Sequence, residues 1–215
     1  MIVVSDMMGT LTTGSSVLGF VDWIRHNQSR TQARWLMAKI TPAYLLAKAG
    51  LIDAQRWKLK LMLDSLTWLK EVDPEKFAGV AEWTVEHNLW PRRRADGIAI
   101  LTRHLQSGAQ VTIASSVYEP VALAFASRFG AQAIGTPVQF NSGKVTLAAG
   151  LVASEKKIQE VLSRLDVTRV DYAYGDTYMD IPLLESADHP VAVYPDKRLH
   201  ATARERGWDI FGVPQ

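Results

Sequence analysis

Ile2-Val3-Val4-Ser5-Asp6-Met7-Met8-Gly9-Thr10-Leu11 is the stretch from which the fold is read. The apolar run 1–5 carries two valines and stops at Asp6, the pattern of a strand buried on both faces. An acid placed directly after such a strand lies at its carboxyl end, and open parallel sheets bind ligands outside those ends. Working outward, strands and helices alternate after Pro91. The spacing predicts a helix over 92–105 stopping near Gly108, a strand over 110–114, a helix over 119–129 and a strand over 133–136. Val138-Gln139-Phe140 and Lys144-Val145-Thr146 flank Asn141-Ser142-Gly143 as a hairpin. A helix over 154–165 with Ser154 as its N-cap follows, then strands over 170–174 and 190–193. A helix over 196–206 stops at Gly207. The alternation implies a doubly wound, mostly parallel, Rossmann-like α/β sheet covered on both faces.

Between about Ser15 and Trp90 the periodicity is helical throughout: Val17, Phe20, Val21 and Ile24, then Trp35, Leu36 and Ile40, then Leu59 to Leu69. Asp53 and Asp73-Pro74 read as helix starts and Gly50 as a stop. The expected organisation is therefore a core of residues 1–13 and 91–215 with an all-helical cap, 14–90, inserted after the first strand. Six of the seven tryptophans fall in the insert. They read as the core of a small bundle, with a hydrophobic substrate-facing surface as the sharper alternative.

Composition narrows the function classes. There is no cysteine, which excludes disulfides, thiolate metal sites and a cysteine nucleophile, and suits a reducing, cytoplasmic setting. The net charge of +2 implies no strong pull toward nucleic acid, and Arg92-Arg93-Arg94 reads as a solvated helix start. No secretory signal pattern precedes Ile2. The apolar stretch near 40–52 is interrupted by Pro42 and Lys48 and is too short for a membrane span. Late in its helix, His104 reads as a surface histidine favoured by the helix dipole.

Polar residues gather at the expected strand ends: Asp6, Ser115, Ser116, Asp176 and Asp180, with Lys157 in the helix between. Here the chain resembles the haloacid dehalogenase (HAD) superfamily. Asp6-Met7-Met8-Gly9-Thr10-Leu11 resembles its first motif, and Ile113-Ala114-Ser115 its second. Ser154-Glu155-Lys156-Lys157 resembles the third, and Gly175-Asp176-Thr177-Tyr178-Met179-Asp180 the fourth. The stretch from Tyr174 to Trp208 and the position of the insert are similar to the phosphoserine-phosphatase-like branch. The resemblance implies a magnesium-dependent phosphatase. Asp6 is then metal ligand and nucleophile, forming an aspartyl-phosphate. Asp176, Asp180 and the backbone carbonyl of Met8 complete the metal site. Ser115 and Lys157 act on the phosphoryl oxygens, and Gly9, Thr10 and Ser116 line the phosphate position. The implied substrate is a small phosphorylated molecule, and the apolar insert leaves room for a hydrophobic one.

One position departs from the pattern. The family's phosphatases carry a general acid two residues after the nucleophile, where this chain has Met8. A thioether can neither protonate a leaving group nor activate water. Three readings stand: a weakened phosphatase, a hydrolase such as a phosphonate hydrolase that needs no acid there, or a non-catalytic protein that binds a phosphorylated ligand. The phosphonate reading requires a Schiff-base lysine from the insert, for which Lys39, Lys48, Lys58 and Lys60 are available.

Overall fold

The structure, a computed structural model, describes residues 1–213; the last two residues of the expected core, 214 and 215, lie outside the described residues. Strand β1 (Ile2–Ser5) is followed by four helices, α1 (Ser16–Asn27), α2 (Arg30–Lys48), α3 (Ala54–Ser65) and α4 (Pro74–Thr84), and then by α5 (Ala95–Gln106). The chain continues through β2 (Gln110–Tyr118), α6 (Glu119–Ala126), β3 (Gln132–Thr136), and the hairpin β4 (Val138–Asn141) and β5 (Lys144–Leu147). It closes with α7 (Glu155–Leu165), β6 (Val170–Gly175), α8 (Ile181–Glu185), β7 (Ala187–Val193), α9 (Lys197–Arg206) and β8 (Asp209–Phe211).

Six strands form one parallel sheet in the order β3-β2-β1-β6-β7-β8. The chain winds outward from β1 to β3, returns, and winds the other way from β6 to β8. The reversal between β1 and β6 is where such a sheet opens a crevice at its carboxyl edge. Side chains alternate across the sheet. Val3 joins the apolar cluster on one face and Val4 the cluster on the other, and neither is exposed. Helix ends are set by local chemistry. Asp53 accepts from the Gln55 and Arg56 amides at 2.9 and 3.0 Å, and Asp73 from Lys76 at 2.7 Å with Pro74 in the first turn. At the far end of α9, Gly207 adopts φ +68 and stops the helix.

The helical insertion is stitched to the sheet at both linkers. Thr12 Oγ1 donates to the Leu89 carbonyl at 2.7 Å, the Thr13 amide to Arg92 at 3.0 Å and the Arg94 amide to Leu11 at 2.7 Å. Phe20 and Phe77 pack their rings 5.8 and 5.9 Å from Tyr118 at the end of β2. The Tyr118 hydroxyl donates to the Met62 carbonyl of α3. Of the six tryptophans in this region, only Trp23 is buried; Trp57, Trp68, Trp83 and Trp90 pack partly against the core and Trp35 is exposed.

Several boundaries differ from expectation. Helix α5 starts at Ala95, because Arg93 and Arg94 are extended and Arg93 bridges to Thr12. Arg94 is half-buried rather than solvated. Strand β2 runs to Tyr118, resuming its pairing with β3 after an irregularity at 115–117. Ser154 does not cap α7 with its side chain; its φ of +48 and ψ of −127 depart from the extended backbone of a capping residue. Helix α8, of five residues, and strand β8, of three, are too short to show a period, and the first residues of β7 include Asp188 and His189. His104 is half-buried, with Nε2 2.8 Å from the Tyr174 hydroxyl and its ring tilted against Tyr172. Burial and then Arg103 lower its pKa, the opposite of what a helix terminus alone would do.

Candidate active site

Asp6 leaves β1 at the carboxyl edge, and its amide donates to the Tyr174 carbonyl of β6 at 2.8 Å. That bond ties the β1 loop to the strand that delivers Asp176. Asp6, Asp176 and Asp180 are all buried and offer carboxylate oxygens within 4.8 Å of one another. Lys157, in the first turn of α7, is buried while its neighbour Lys156 is exposed. Its ammonium donates to Asp6 Oδ1 and Asp180 Oδ1, each at 2.7 Å. Asp180 also receives the Thr177 amide and hydroxyl at 3.2 Å each, which fixes the turn after β6.

Two glycines make this packing possible. Gly9 has φ +98, and a Cβ on it would lie 1.9 Å from Asp176 Oδ2. The immediate neighbour it accommodates is therefore a carboxylate of the cluster. A Cβ on Gly175 would lie 2.5 Å from that of Asp180, so the glycine of the fourth motif lets Asp180 fold back over the strand end. Thr10 likewise faces carboxylates: its hydroxyl donates to Asp176 Oδ1 at 3.1 Å, with Asp6 Oδ2 3.4 Å away.

The electrostatics are unbalanced. Three carboxylates share one ammonium at a nearly dry site. Burial, opposed by Lys157 and reinforced by Asp180, pushes Asp6 up to about 6. Burial and the charges of Asp6 and Asp180 push Asp176 well above the carboxylate range. For Lys157, the two carboxylates outweigh burial and raise its pKa. Excess buried negative charge on oxygen ligands is what a hard divalent cation neutralises, so these residues fit magnesium. The Met8 carbonyl accepts no hydrogen bond among the described residues and is available to such an ion.

Ser115 is fully buried at the β2 irregularity, with its Oγ 3.4 Å from the Val117 amide. Ser5 pairs with Ile113, so Ser115 lies two residues past that pair, level with the loop that follows Asp6. It makes no direct bond to Asp6, Lys157 or Asp176. Ser116 is half-buried and its carbonyl accepts from Thr136 at 2.7 Å. The Met8 side chain is partly buried against the apolar cluster.

Two supporting residues escape a reading of the sequence. Arg94 donates through Nε to the Gly9 carbonyl at 2.7 Å and lies 3.8 Å over the Tyr194 ring. Asp196 caps α9 through the Leu199 amide, accepts from Tyr178 at 3.1 Å, and donates its own amide to the Asp176 carbonyl at 2.8 Å. Asp196 gives a helix-start signal, but nothing in sequence links either residue to the site 20 to 90 positions away.

Residues 3–185 match the family model of haloacid dehalogenase-like hydrolases. A phosphoserine phosphatase of Mycobacterium tuberculosis is 36% identical over 124 residues, covering 54% of this chain and 40% of that protein. The chain thus spans less than half the length of the curated relatives it matches first. A structure of a protein of unknown function from Bordetella pertussis superposes with a TM-score of 0.78 at 21% identity, over 98% of this chain and 97% of that one. A probable phosphoserine phosphatase from Vibrio cholerae superposes with a TM-score of 0.58 at 21% identity, over 93% of this chain and 58% of that one. At these identities the structural likeness speaks for the fold.

Proposed function

The chain belongs to the haloacid dehalogenase-like hydrolase family, and from that premise we propose that it is a magnesium-dependent phosphate monoester hydrolase acting through an aspartyl-phosphate on Asp6. The observation that carries this reading is the buried triad Asp6, Asp176 and Asp180 with a single ammonium, Lys157, bridging two of its members. Asp6, Asp176, Asp180 and the Met8 carbonyl would hold magnesium, whose charge would offset the repulsion between a phosphate dianion and the attacking carboxylate. Asp6 Oδ1 or Oδ2 attacks phosphorus as the ester P–O bond breaks and the leaving oxygen takes its proton from solvent; Lys157 and Ser115 hold the phosphoryl oxygens, and the backbone at Gly9, Thr10 and Ser116 frames them. Hydrolysis of the acyl-phosphate then frees Asp6. Residues 14–90 serve as a cap over residues 1–13 and 91–215, excluding water and selecting the substrate. A small phosphorylated substrate follows from the similarity to phosphoserine phosphatases, and the apolar cap favours a hydrophobic one. A cytoplasmic location belongs to the same proposal. With Met8 in the acid position, turnover of poor leaving groups is slow.

The phosphonate alternative loses support. Lys39, Lys48, Lys58 and Lys60 are all exposed, so none lies in the desolvated pocket in which a Schiff-base lysine is activated. Binding of a phosphorylated ligand without turnover remains the second reading, favoured by Met8 alone.

Fluoroberyllate, a mimic of the aspartyl-phosphate, tests the covalent step. With magnesium it should raise the melting temperature of the wild type and leave Asp6→Asn unmoved. A rise of equal size in Asp6→Asn removes Asp6 as nucleophile. Calorimetry should show magnesium binding weakened in Asp176→Asn; equal affinity in both proteins removes the metal site.

A further inference from the structure

The helical hairpin α2–α3 stands apart from the rest of the surface. Past Ile40, α2 buries none of its residues. Among the described residues, eight of the twelve exposed large hydrophobic side chains lie between Trp35 and Leu63, and five of them, Tyr44, Leu45, Leu46, Leu51 and Ile52, cluster around the tip at Gly50. Single exposed apolar residues are ordinary, but a concentration of this kind marks an interaction surface.

The charge on the same hairpin is one-sided. Residues 30–65 contain seven lysines and arginines, all exposed, and two acids, Asp53 and Asp64. The whole chain carries only +2, so the remainder is net negative and the positive charge is a property of this segment. Arg56 and Lys60 have local partners in Asp53 and Asp64. Lys39 lies 3.6 Å over the exposed Trp35 ring. Arg30, Arg34, Lys39, Lys48 and Lys58 have no acidic partner among the described residues.

We propose that the α2–α3 hairpin docks the protein peripherally on an anionic lipid bilayer, with the apolar tip entering the headgroup region and the surrounding cations contacting lipid phosphates. Exposed leucines, an isoleucine, a tyrosine and a tryptophan among unpaired lysines and arginines are the composition that partitions into a membrane interface. Each cation near a negative bilayer adds to binding, and the attraction falls with salt. No helix among the described residues is long and apolar enough to cross a membrane, so the attachment lies in the interface plane. A second protein copy would place two such hairpins' positive charges together, which disfavours self-association through this face.

Co-sedimentation of the full chain with extruded vesicles tests the proposal. Vesicles of equal parts phosphatidylglycerol and phosphatidylcholine should pellet the protein at ~0.1 M salt, and pure phosphatidylcholine should not. The double variant Leu45→Glu/Leu51→Glu should lower the bound fraction about tenfold or more. Both positions are exposed, so its melting temperature should match the wild type. A second variant, Lys48→Glu/Lys58→Glu, should lose the preference for the anionic vesicles. Equal pelleting on both vesicle types, no pelleting on either, or unchanged pelleting of the double variants overturns the proposal. So does a dimer in sedimentation analysis that Leu45→Glu/Leu51→Glu dissolves while vesicles bind nothing, which assigns the face to a second copy.

Discussion

The loop after β1 and the tip of the helical insertion each turn on a glycine with positive φ, +98 at Gly9 and +73 at Gly50. Their surroundings are opposite. The place of a Cβ on Gly9 is taken by the Asp176 carboxylate, whereas nothing lies within 4 Å of one on Gly50. The same contrast runs through the lysines. Lys157 and Lys60 both sit 2.7 Å from an aspartate, the first pair buried and the second exposed. At the sheet edge each atom is placed by several others, so geometry is over-determined. At the insertion's tip, local chemistry alone decides. Function that needs fixed charge belongs to the first region, and recognition of a soft or variable partner to the second.

The two glycines give the largest test of that contrast. Gly9→Ala must displace the Asp176 carboxylate or the loop as well as hold an alanine at φ +98. It should cost about 4 kcal/mol or more in urea unfolding and abolish magnesium binding in calorimetry. Gly50→Ala meets only the backbone preference and should cost about 1–2 kcal/mol. Similar losses at the two positions would break the comparison.

Next come the two lysines. Lys157→Met leaves Asp6 and Asp180 without their ammonium and should cost about 3–5 kcal/mol in the metal-free protein, with magnesium recovering part of it. Lys60→Met removes an exposed pair and should change stability by about 0.5 kcal/mol or less. If Lys157→Met proves neutral, the sheet-edge charges are not mutually dependent as described.

A third test adds chemistry rather than removing it. Met8→Asp restores an acid at the position where the family's phosphatases have one. Magnesium-dependent hydrolysis of alkyl phosphates should rise by ~10²–10⁴, with a smaller gain for aryl phosphates whose leaving groups need less protonation. The corresponding change in the insertion, the exposed Met37→Asp, should leave turnover unchanged. Unaltered turnover in Met8→Asp with magnesium binding intact would favour the ligand-binding reading over the phosphatase.

How much of this is legible in the sequence follows the same division. Asp6, Lys157, Asp176 and Asp180 are readable because each follows a strand or opens a helix, so local pattern places them on one rim. The helices of the insertion are readable from their 3.6-residue period and, for α3 and α4, from their aspartate caps. Residues whose roles depend on distant partners are not readable. Arg94 reads as part of a basic run, yet it braces Gly9 across 85 positions. Thr10 reads as a phosphate ligand but donates to Asp176, 166 positions on. Ser154 carries the right residue type for a cap and the wrong backbone angles, which no residue type reveals. Strand β8 has three residues, too few for any period.

His104 is where a local reading fails most clearly, and it supplies the smallest effect. A helix C-terminus would raise its pKa, but burial against Tyr172 and Tyr174, with Arg103 adjacent, lowers it from 6.5. The folded chain therefore resists a proton that the unfolded chain accepts below pH 6.5, and the contribution of His104 to stability falls as pH falls through that value. Asp6 acts with the opposite sign. Its folded pKa of about 6 lies above the unfolded 3.8, so between those values the folded state holds more protons and stability falls as pH rises. The raw melting curve mixes the two. Subtracting the curve of His104→Gln from that of the wild type, both without magnesium, cancels Asp6. The difference should be flat above about pH 7 and decline, against the wild type, toward pH 5. A difference that instead favours the wild type more strongly at low pH would mean that His104 is held protonated, and that the helix terminus outweighs the sheet face on which it packs.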